Sequence, residues 1–248
     1  RYLRVSASWH REMSIRVCLN CVFANTSIPG NIGSAAREMK LMVFKNLSLG
    51  NPKHCPDVKA DALAVGCVDL LKNAKVFDNI TSAIEGSYIN IGLSARSRRA
   101  SIPALTIDEC IDYIVKNSNL NINLIFGNEY SGLSNEDLFV CDYILSLPTH
   151  DDYTSLNLSA AVQIITYALY KKSLVTKKIS KSHTNLANAK ERNFFIKSLI
   201  LLLEQTGFIT PKNHISLTKR IHILFNKFNL EKAEVNKLMG MISYITKK

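Results

Sequence analysis

Three places in this sequence carry side chains suited to chemistry. The first is the stretch Asp142 to Lys172. In it a short apolar run, Tyr143-Ile144-Leu145-Ser146-Leu147, stops at Pro148 and gives way to a polar loop and then a helical pattern. The junction holds Thr149, Tyr153, Thr154 and Ser155, so it offers hydroxyls and open backbone donors at a strand end. In open α/β sheets ligands settle outside the carboxyl ends of strands, where such donors converge. The second place is Asn25-Thr26-Ser27-Ile28-Pro29-Gly30-Asn31-Ile32-Gly33, whose glycines let a ligand or a neighbouring backbone come close. GxxG alone is equally a tight strand-to-helix turn, and it is not the GxGxxG of dinucleotide-binding oxidoreductases. The third is the basic knot Arg96-Ser97-Arg98-Arg99, suited to phosphate oxygens.

Metal chemistry is not expected. Cys18-x-x-Cys21 has the spacing of half a zinc site, but no second CxxC or HxxxH follows. The pair also lies in a strand-like run, where residues three apart face opposite ways. Most of the six cysteines sit in apolar runs and read as buried thiols of a cytoplasmic protein. The net charge of +11 has two readings: the chain meets a polyanion, or its charge only keeps it in solution. That charge is uneven, with Lys and Arg far outnumbering acids after about residue 171.

The elements that must position these groups follow from periodicity. At 248 residues, 47% hydrophobic and 21% charged, the chain has the composition of a soluble globular protein. No segment approaches the roughly 20 continuous apolar residues of a membrane span. Residues 1–17 are basic without a clean apolar signal core and read as an N-terminal extension. From Cys18 onward short apolar runs alternate with helical patterns: strands near 18–24, 47–49, 75–77, 88–92, 121–126 and 143–147, with helices at 31–44, 57–66, 81–85, 106–115, 134–139 and from Thr154 or Ser155 to Lys172. This alternation predicts an α/β fold with a mostly parallel, Rossmann-like sheet over 18–172. Residues 173–189 fade into Lys, Ser, Thr and Asn and read as a linker. Residues 190–248 regain helical periodicity as three helices. They form either a small bundle with a solvated basic face or a nucleic-acid-binding appendage.

Three blocks, each after a predicted strand, carry a family signature: Asn25-Thr26-Ser27 through Arg37; Phe126-Gly127-Asn128-Glu129-Tyr130-Ser131-Gly132-Leu133; and Leu147-Pro148 with Tyr153-Thr154-Ser155-Leu156-Asn157-Leu158. In this order they resemble the SPOUT-class RNA ribose 2′-O-methyltransferases. Gly50-Asn51-Pro52-Lys53, Ser94 to Arg98, and the tail around Arg220 to Asn236 narrow the resemblance to the bacterial tRNA (cytidine/uridine-2′-O-)-methyltransferases, over roughly residues 18 to 248.

The resemblance implies a trefoil knot in the C-terminal part of the sheet, a homodimer, S-adenosylmethionine as methyl donor, and tRNA as partner. The expected activity is methylation of the ribose 2′-OH of a cytidine or uridine at position 32 of the anticodon loop. The alternatives are a sister enzyme acting on rRNA or another tRNA position, and a non-catalytic RNA-binding paralogue. Cofactor contacts fall on Leu93, Ser94, Ala95, Gly127, Leu147, Thr154, Ser155 and Leu156. The catalytic residue implied is Arg37, with Asn31 and Ser155 beside it, and RNA contacts fall on Arg96, Arg98, Arg220 and Lys227. Two positions depart from the pattern: Leu93 stands where relatives usually have Thr, and Asn128 where Arg is common.

Overall fold

A computed structural model describes residues 18–53, 60, 63–64, 66–94, 102–150, 155–176, 185–228 and 230–246. Most of the helix expected at 57–66 lies outside them. The chain runs β1 (Leu19–Ala24), α1 (Pro29–Leu41), β2 (Asn46–Gly50), α2 (Val68–Lys72), β3 (Lys75–Phe77), α3 (Ile80–Ile84), β4 (Ile89–Leu93), β5 (Ala104–Leu105), α4 (Ile107–Lys116), β6 (Ile122–Phe126), α5 (Asn135–Phe139), β7 (Tyr143–Leu145) and α6 (Leu158–Val175). It ends with α7 (Ala189–Gln205), α8 (His214–Asn226) and α9 (Lys232–Thr246). The strands form one sheet in the order β3-β2-β1-β6-β4-β7-β5, and every pairing is parallel.

A parallel sheet needs both faces covered, and strand alternation supplies two apolar surfaces. Leu19, Cys21 and Phe23 of β1 join Ile122, Leu124 and Phe126 of β6 beneath α1, α4 and α6. Val22, Ala24 and Ile125 point the other way, toward Ile84 of α3, Leu138 of α5 and Ile223 of α8. A third cluster, built from Phe195, Ile196, Ile200, Val235 and Ile242, holds α7 to α9 together as a bundle. Phe195 meets Phe225 edge to face, with ring centroids 4.8 Å apart. The bundle is docked on the second face. The Asn226 amide donates to the Phe139 carbonyl at 2.8 Å, and Lys219 stands over the Phe139 ring.

Helix starts follow capping chemistry. Reciprocal capping boxes open α4 (Thr106 with Glu109), α5 (Ser134 with Asp137) and α7 (Asn188 with Glu191). The start expected for α6 is corrected. Asn157, not Thr154 or Ser155, caps it, by accepting from the Ser159 N–H. The stretch near the expected linker also has order at its far end: Asn185 and Ala187 pair with Lys232 and Leu230 through backbone bonds. No helix among the described residues is long and apolar enough to cross a membrane.

One feature of the sheet is polar. On the second face, side-chain amides of adjacent strands bond in sequence. Asn20 of β1 reaches Ser48 of β2 at 3.2 Å and donates to Asn123 of β6 at 2.9 Å. Asn123 donates to Asn90 of β4 at 2.9 Å, and Ser87 donates to the same Asn90 oxygen at 2.8 Å. The Asn90 backbone N–H then donates to Asp142, just before β7, at 2.7 Å. Burial pushes the Asp142 carboxyl up, opposed by the Arg192 charge and the Asn90 N–H. Arg192 belongs by sequence to the basic tail, yet it is buried, with Nη2 at 2.9 Å from Asp142 and Nη1 at 2.8 Å from the Tyr88 carbonyl.

Because a buried amide donor left unpaired costs roughly 1–3 kcal/mol, Asn123→Leu, which strands one Asn20 amide hydrogen and leaves the Asn90 oxygen to Ser87 alone, should destabilise the fold by about 1–3 kcal/mol. Urea denaturation of the purified variant measures this.

Candidate active site

The loops at the carboxyl ends of β1, β2 and β6 are held by short polar side chains. Asn25 and Asn51 both take left-handed backbone angles, which Asn tolerates, and the Asn51 amide donates to the Asn25 side-chain oxygen at 2.8 Å. Asn128, after β6, donates to the Asn25 carbonyl at 2.7 Å and accepts from the Tyr130 N–H. Asn128 thus ties two loops together. Glu129 completes the clamp: its carboxylate accepts from the Ser27 N–H, the Ser27 hydroxyl and the Ile28 N–H at 3.0–3.2 Å. Burial pushes the half-buried Glu129 carboxyl up, but these donors and its own backbone N–H together hold it below its ordinary value.

Beyond this clamp the ends of β4, β6 and β7 enclose a cavity of about 230 Å³. Its floor is apolar: Leu93, Phe126, Leu145, Leu147, Leu158 and Ala161. Its rim carries Ser94, Ser155 and the loop Asn128 to Leu133. That loop folds back so closely that a side chain at Gly127 would collide with the backbone of Gly132 and Leu133. Gly132 itself sits at φ +67, in the left-handed region. An apolar slot edged by strand-end backbone groups suits a flat heterocycle with hydrogen-bonding edges.

Of the eight residues expected at a cofactor, Leu93, Ser94, Gly127, Leu147, Ser155 and Leu156 line this one cavity. Ala95 and Thr154 lie outside the described residues, as do Arg96 and Arg98. Asn31, near the start of α1, accepts from the Asn157 amide at 3.1 Å, which couples α1 to the cap of α6. Arg37 is exposed on α1 and is not part of the cavity lining. Arg220 and Lys227 are exposed on and just after α8. The sequence reading missed Phe126, Leu145, Leu158, Ala161 and the 128–133 rim as lining. The parallel strand ends and the Gly127–Gly132 spacing were the available signals. Cys18 is exposed while Cys21 is buried, with its thiol pushed up to about 12 by burial. Among the described residues no group of three or more His, Cys, Asp or Glu is placed to hold a metal ion.

Comparison with known proteins yields consistent matches. The profile of the SpoU rRNA Methylase family matches residues 19–167. The chain is 36% identical over 231 residues to the tRNA (cytidine/uridine-2′-O-)-methyltransferase TrmJ of Sodalis glossinidius, covering 92% of this chain and 91% of that one. It is 35% identical over 237 residues to the tRNA (cytidine/uridine/adenosine-2′-O-)-methyltransferase TrmJ of Pseudomonas aeruginosa, covering 91% and 92%. Among solved structures, TrmJ from Z. mobilis superposes with a TM-score of 0.83 over 92% of this chain and 98% of that one. At 23% identity this last likeness speaks to the fold.

Two expectations test the site. Gly127→Ala forces the rim loop off its seat and should cost about 2–3 kcal/mol together with ligand binding, read by thermal melting and titration. Glu129→Gln probes the clamp through pH. A carboxyl held low in the fold contributes stability that is present above its ordinary value near 4.5 and lost as pH falls through its lowered one. The stability gap between wild type and Glu129→Gln, followed by urea denaturation from neutral to acid pH, should therefore narrow toward acid.

Proposed function

The chain belongs to the SpoU rRNA Methylase family, and from that premise we propose that it transfers the methyl group of S-adenosylmethionine to the ribose 2′-OH of a cytidine or uridine in the tRNA anticodon loop. The observation that carries the tRNA half is the reach of the likeness. Relatives with tRNA 2′-O-methyltransferase names match more than nine-tenths of this chain, the C-terminal bundle included, and more than nine-tenths of their own length.

The residues at the cavity fit the methyl donor. The leucine floor and the strand-end amides suit adenine, with Leu93, Ser94, Ala95, Gly127, Leu147 and Thr154 to Leu156 holding it. When bound, S-adenosylmethionine supplies a sulfonium methyl that is already an activated electrophile. The protein's part is alignment and help in deprotonating a weakly acidic ribose hydroxyl. A guanidinium does not serve as a base in proteins. Arg37 instead clamps the phosphate beside the target ribose and stabilises developing oxyanion charge. Its exposure, outside the lining of its own chain's cavity, suits a group that meets RNA rather than the methyl donor. Asn31, bonded to the Asn157 cap, and Ser155, at the cavity rim, orient the ribose. Leu93 in place of Thr leaves one fewer hydroxyl at the cavity, and the Ser94 and Ser155 hydroxyls remain.

The same reading divides the chain into an extension (1–17), a methyltransferase domain (18–172), a linker (173–189) and a tRNA-binding helical domain (190–248). Arg96, Arg98, Arg220 and Lys227 meet tRNA phosphates. It also includes a trefoil knot around β7 and the start of α6, a homodimer, and a cytoplasmic location, where tRNA is found.

The experiment is mass spectrometry of tRNA and rRNA nucleosides from cells with and without the protein. A new 2′-O-methylcytidine or 2′-O-methyluridine in tRNA is expected. A methyl gained only in rRNA refutes the substrate assignment. Arg37→Ala should lower turnover by roughly a hundredfold or more while S-adenosylmethionine affinity stays within about twofold, and near-normal turnover removes Arg37 from the mechanism.

A further inference from the structure

Arg192 is the most deeply placed cation of the C-terminal bundle, its side chain only 6% exposed and that of Asp142 only 5%. Nothing in the methyl-transfer chemistry uses it, since it does not line the cavity. Its two terminal nitrogens nevertheless bind two different strands. Nη1 donates to the carbonyl of Tyr88, the residue before β4, and Nη2 to the carboxylate of Asp142, the residue before β7. The opening of α7 is fixed to the same place. The Ala189 N–H donates to the Ser87 carbonyl at 2.7 Å, the Lys190 N–H donates to the Glu85 carbonyl at 3.2 Å, and the Lys190 ammonium pairs with the Glu85 carboxylate.

These feet belong to the strands whose other ends form the cavity. β4 runs from Ile89 to Leu93 and β7 from Tyr143 to Leu145, in register as Ile91 with Tyr143 and Leu93 with Leu145. At about 3.3 Å per residue the clamp lies on the order of 10–20 Å from Leu93, Ser94 and Leu145. Neighbouring parallel strands slide or splay only if the bonds at their feet yield. Here those bonds are closed by Asp142 accepting from the Asn90 N–H, and by the Asp142 N–H donating to the Asn90 carbonyl at 2.7 Å. The carboxylate is buried and needs a cation beside it. The two acceptors are met by two nitrogens at the fixed separation of a guanidinium, whereas a lysine ammonium would have to draw the Tyr88 carbonyl and Asp142 onto a single atom.

We propose that Arg192 is a positioning residue for the methyl-donor cavity: its guanidinium, delivered by the first helix of the C-terminal bundle, sets the spacing of β4 and β7 and so the width of the pocket between their far ends. This rests on the functional reading above for the identity of the ligand, but not for the mechanics. The bundle is then part of the donor site's frame as well as a surface for RNA, and removing it opens the cavity as well as weakening tRNA binding.

The test uses the full-length chain in three forms: wild type, Arg192→Lys, and the neutral pair Arg192→Met with Asp142→Asn. Hydrogen exchange of the ligand-free proteins is the first readout. Arg192→Lys should exchange faster at Gly92 to Ser94 and at Ile144 and Leu145, with β1 and β2 unchanged. A uniform rise across the sheet, or no rise at β4 and β7, overturns the proposal. Calorimetric titration with S-adenosylmethionine is the second. Arg192→Lys should bind it at least tenfold more weakly, while tRNA affinity stays within twofold. The neutral pair removes both buried charges and should keep the melting temperature near that of the wild type without keeping its S-adenosylmethionine affinity. If affinity is kept along with the melting temperature, Arg192 is a structural counter-ion only and the proposal falls. A wild-type protein that binds no S-adenosylmethionine defeats the functional reading, and the exchange comparison still decides the role of Arg192.

Discussion

A parallel sheet covered on both faces keeps its central strands from solvent, so their side chains are mostly apolar or bonded to one another. This protein meets that constraint in two ways on the same seven strands. Most positions carry Ile, Leu, Val or Phe, and dispersion and area burial hold them. One row carries Asn, and hydrogen bonds hold it. The donor of each amide points along the row in the same sense, from Asn20 to Asn123 to Asn90, so the amide dipoles add rather than cancel and strengthen one another. The row ends against a carboxylate, the charge that the positive ends of those dipoles favour. In a parallel sheet slippage by two residues would keep the apolar pattern intact. An amide row resists it, since a slipped Asn20 or Asn90 would face Ile125.

The fixed register matters because the cavity is made of strand ends. Leu93, Phe126 and Leu145 close on one another only while β4, β6 and β7 finish at matching heights. The loops beyond them are set by another polar device, the Asn51–Asn25–Asn128 and Glu129–Ser27 contacts. Apolar burial thus supplies the cohesion of this domain, and a small number of short polar side chains supply its geometry.

Sequence patterning reveals the first of these more readily than the second. The runs at 19–24, 46–50 and 122–126 are apolar and bounded by turn residues, so their strands are legible, and the Thr106–Glu109 capping box marks α4 to the residue. β5 is two residues long and α2 five, too short for any period to register. The start of α6 is ambiguous because Thr154, Ser155 and Asn157 can each cap a helix, and only the Ser159 N–H in three dimensions selects Asn157. The cavity's position follows from strand–helix alternation, and its residues from family resemblance on Leu93, Gly127 and Leu147. The amide row is illegible for a plain reason: an Asn in a strand is unfavourable locally, and its partners lie 28 to 103 residues away. Arg192 counts in composition as one more tail cation, and its burial is visible only once Asp142 is opposite it.

The Asp142–Arg192 pair also constrains how this architecture could have arisen. A methylase domain that lacked the helical bundle would have no guanidinium to present at the foot of β7, and a carboxylate there would be stranded. With the bundle in place, changing either member alone leaves the other as a buried, unpaired charge, so positions 142 and 192 are coupled in energy. Shuffling this bundle onto a foreign methylase therefore requires a matching acid in the recipient sheet.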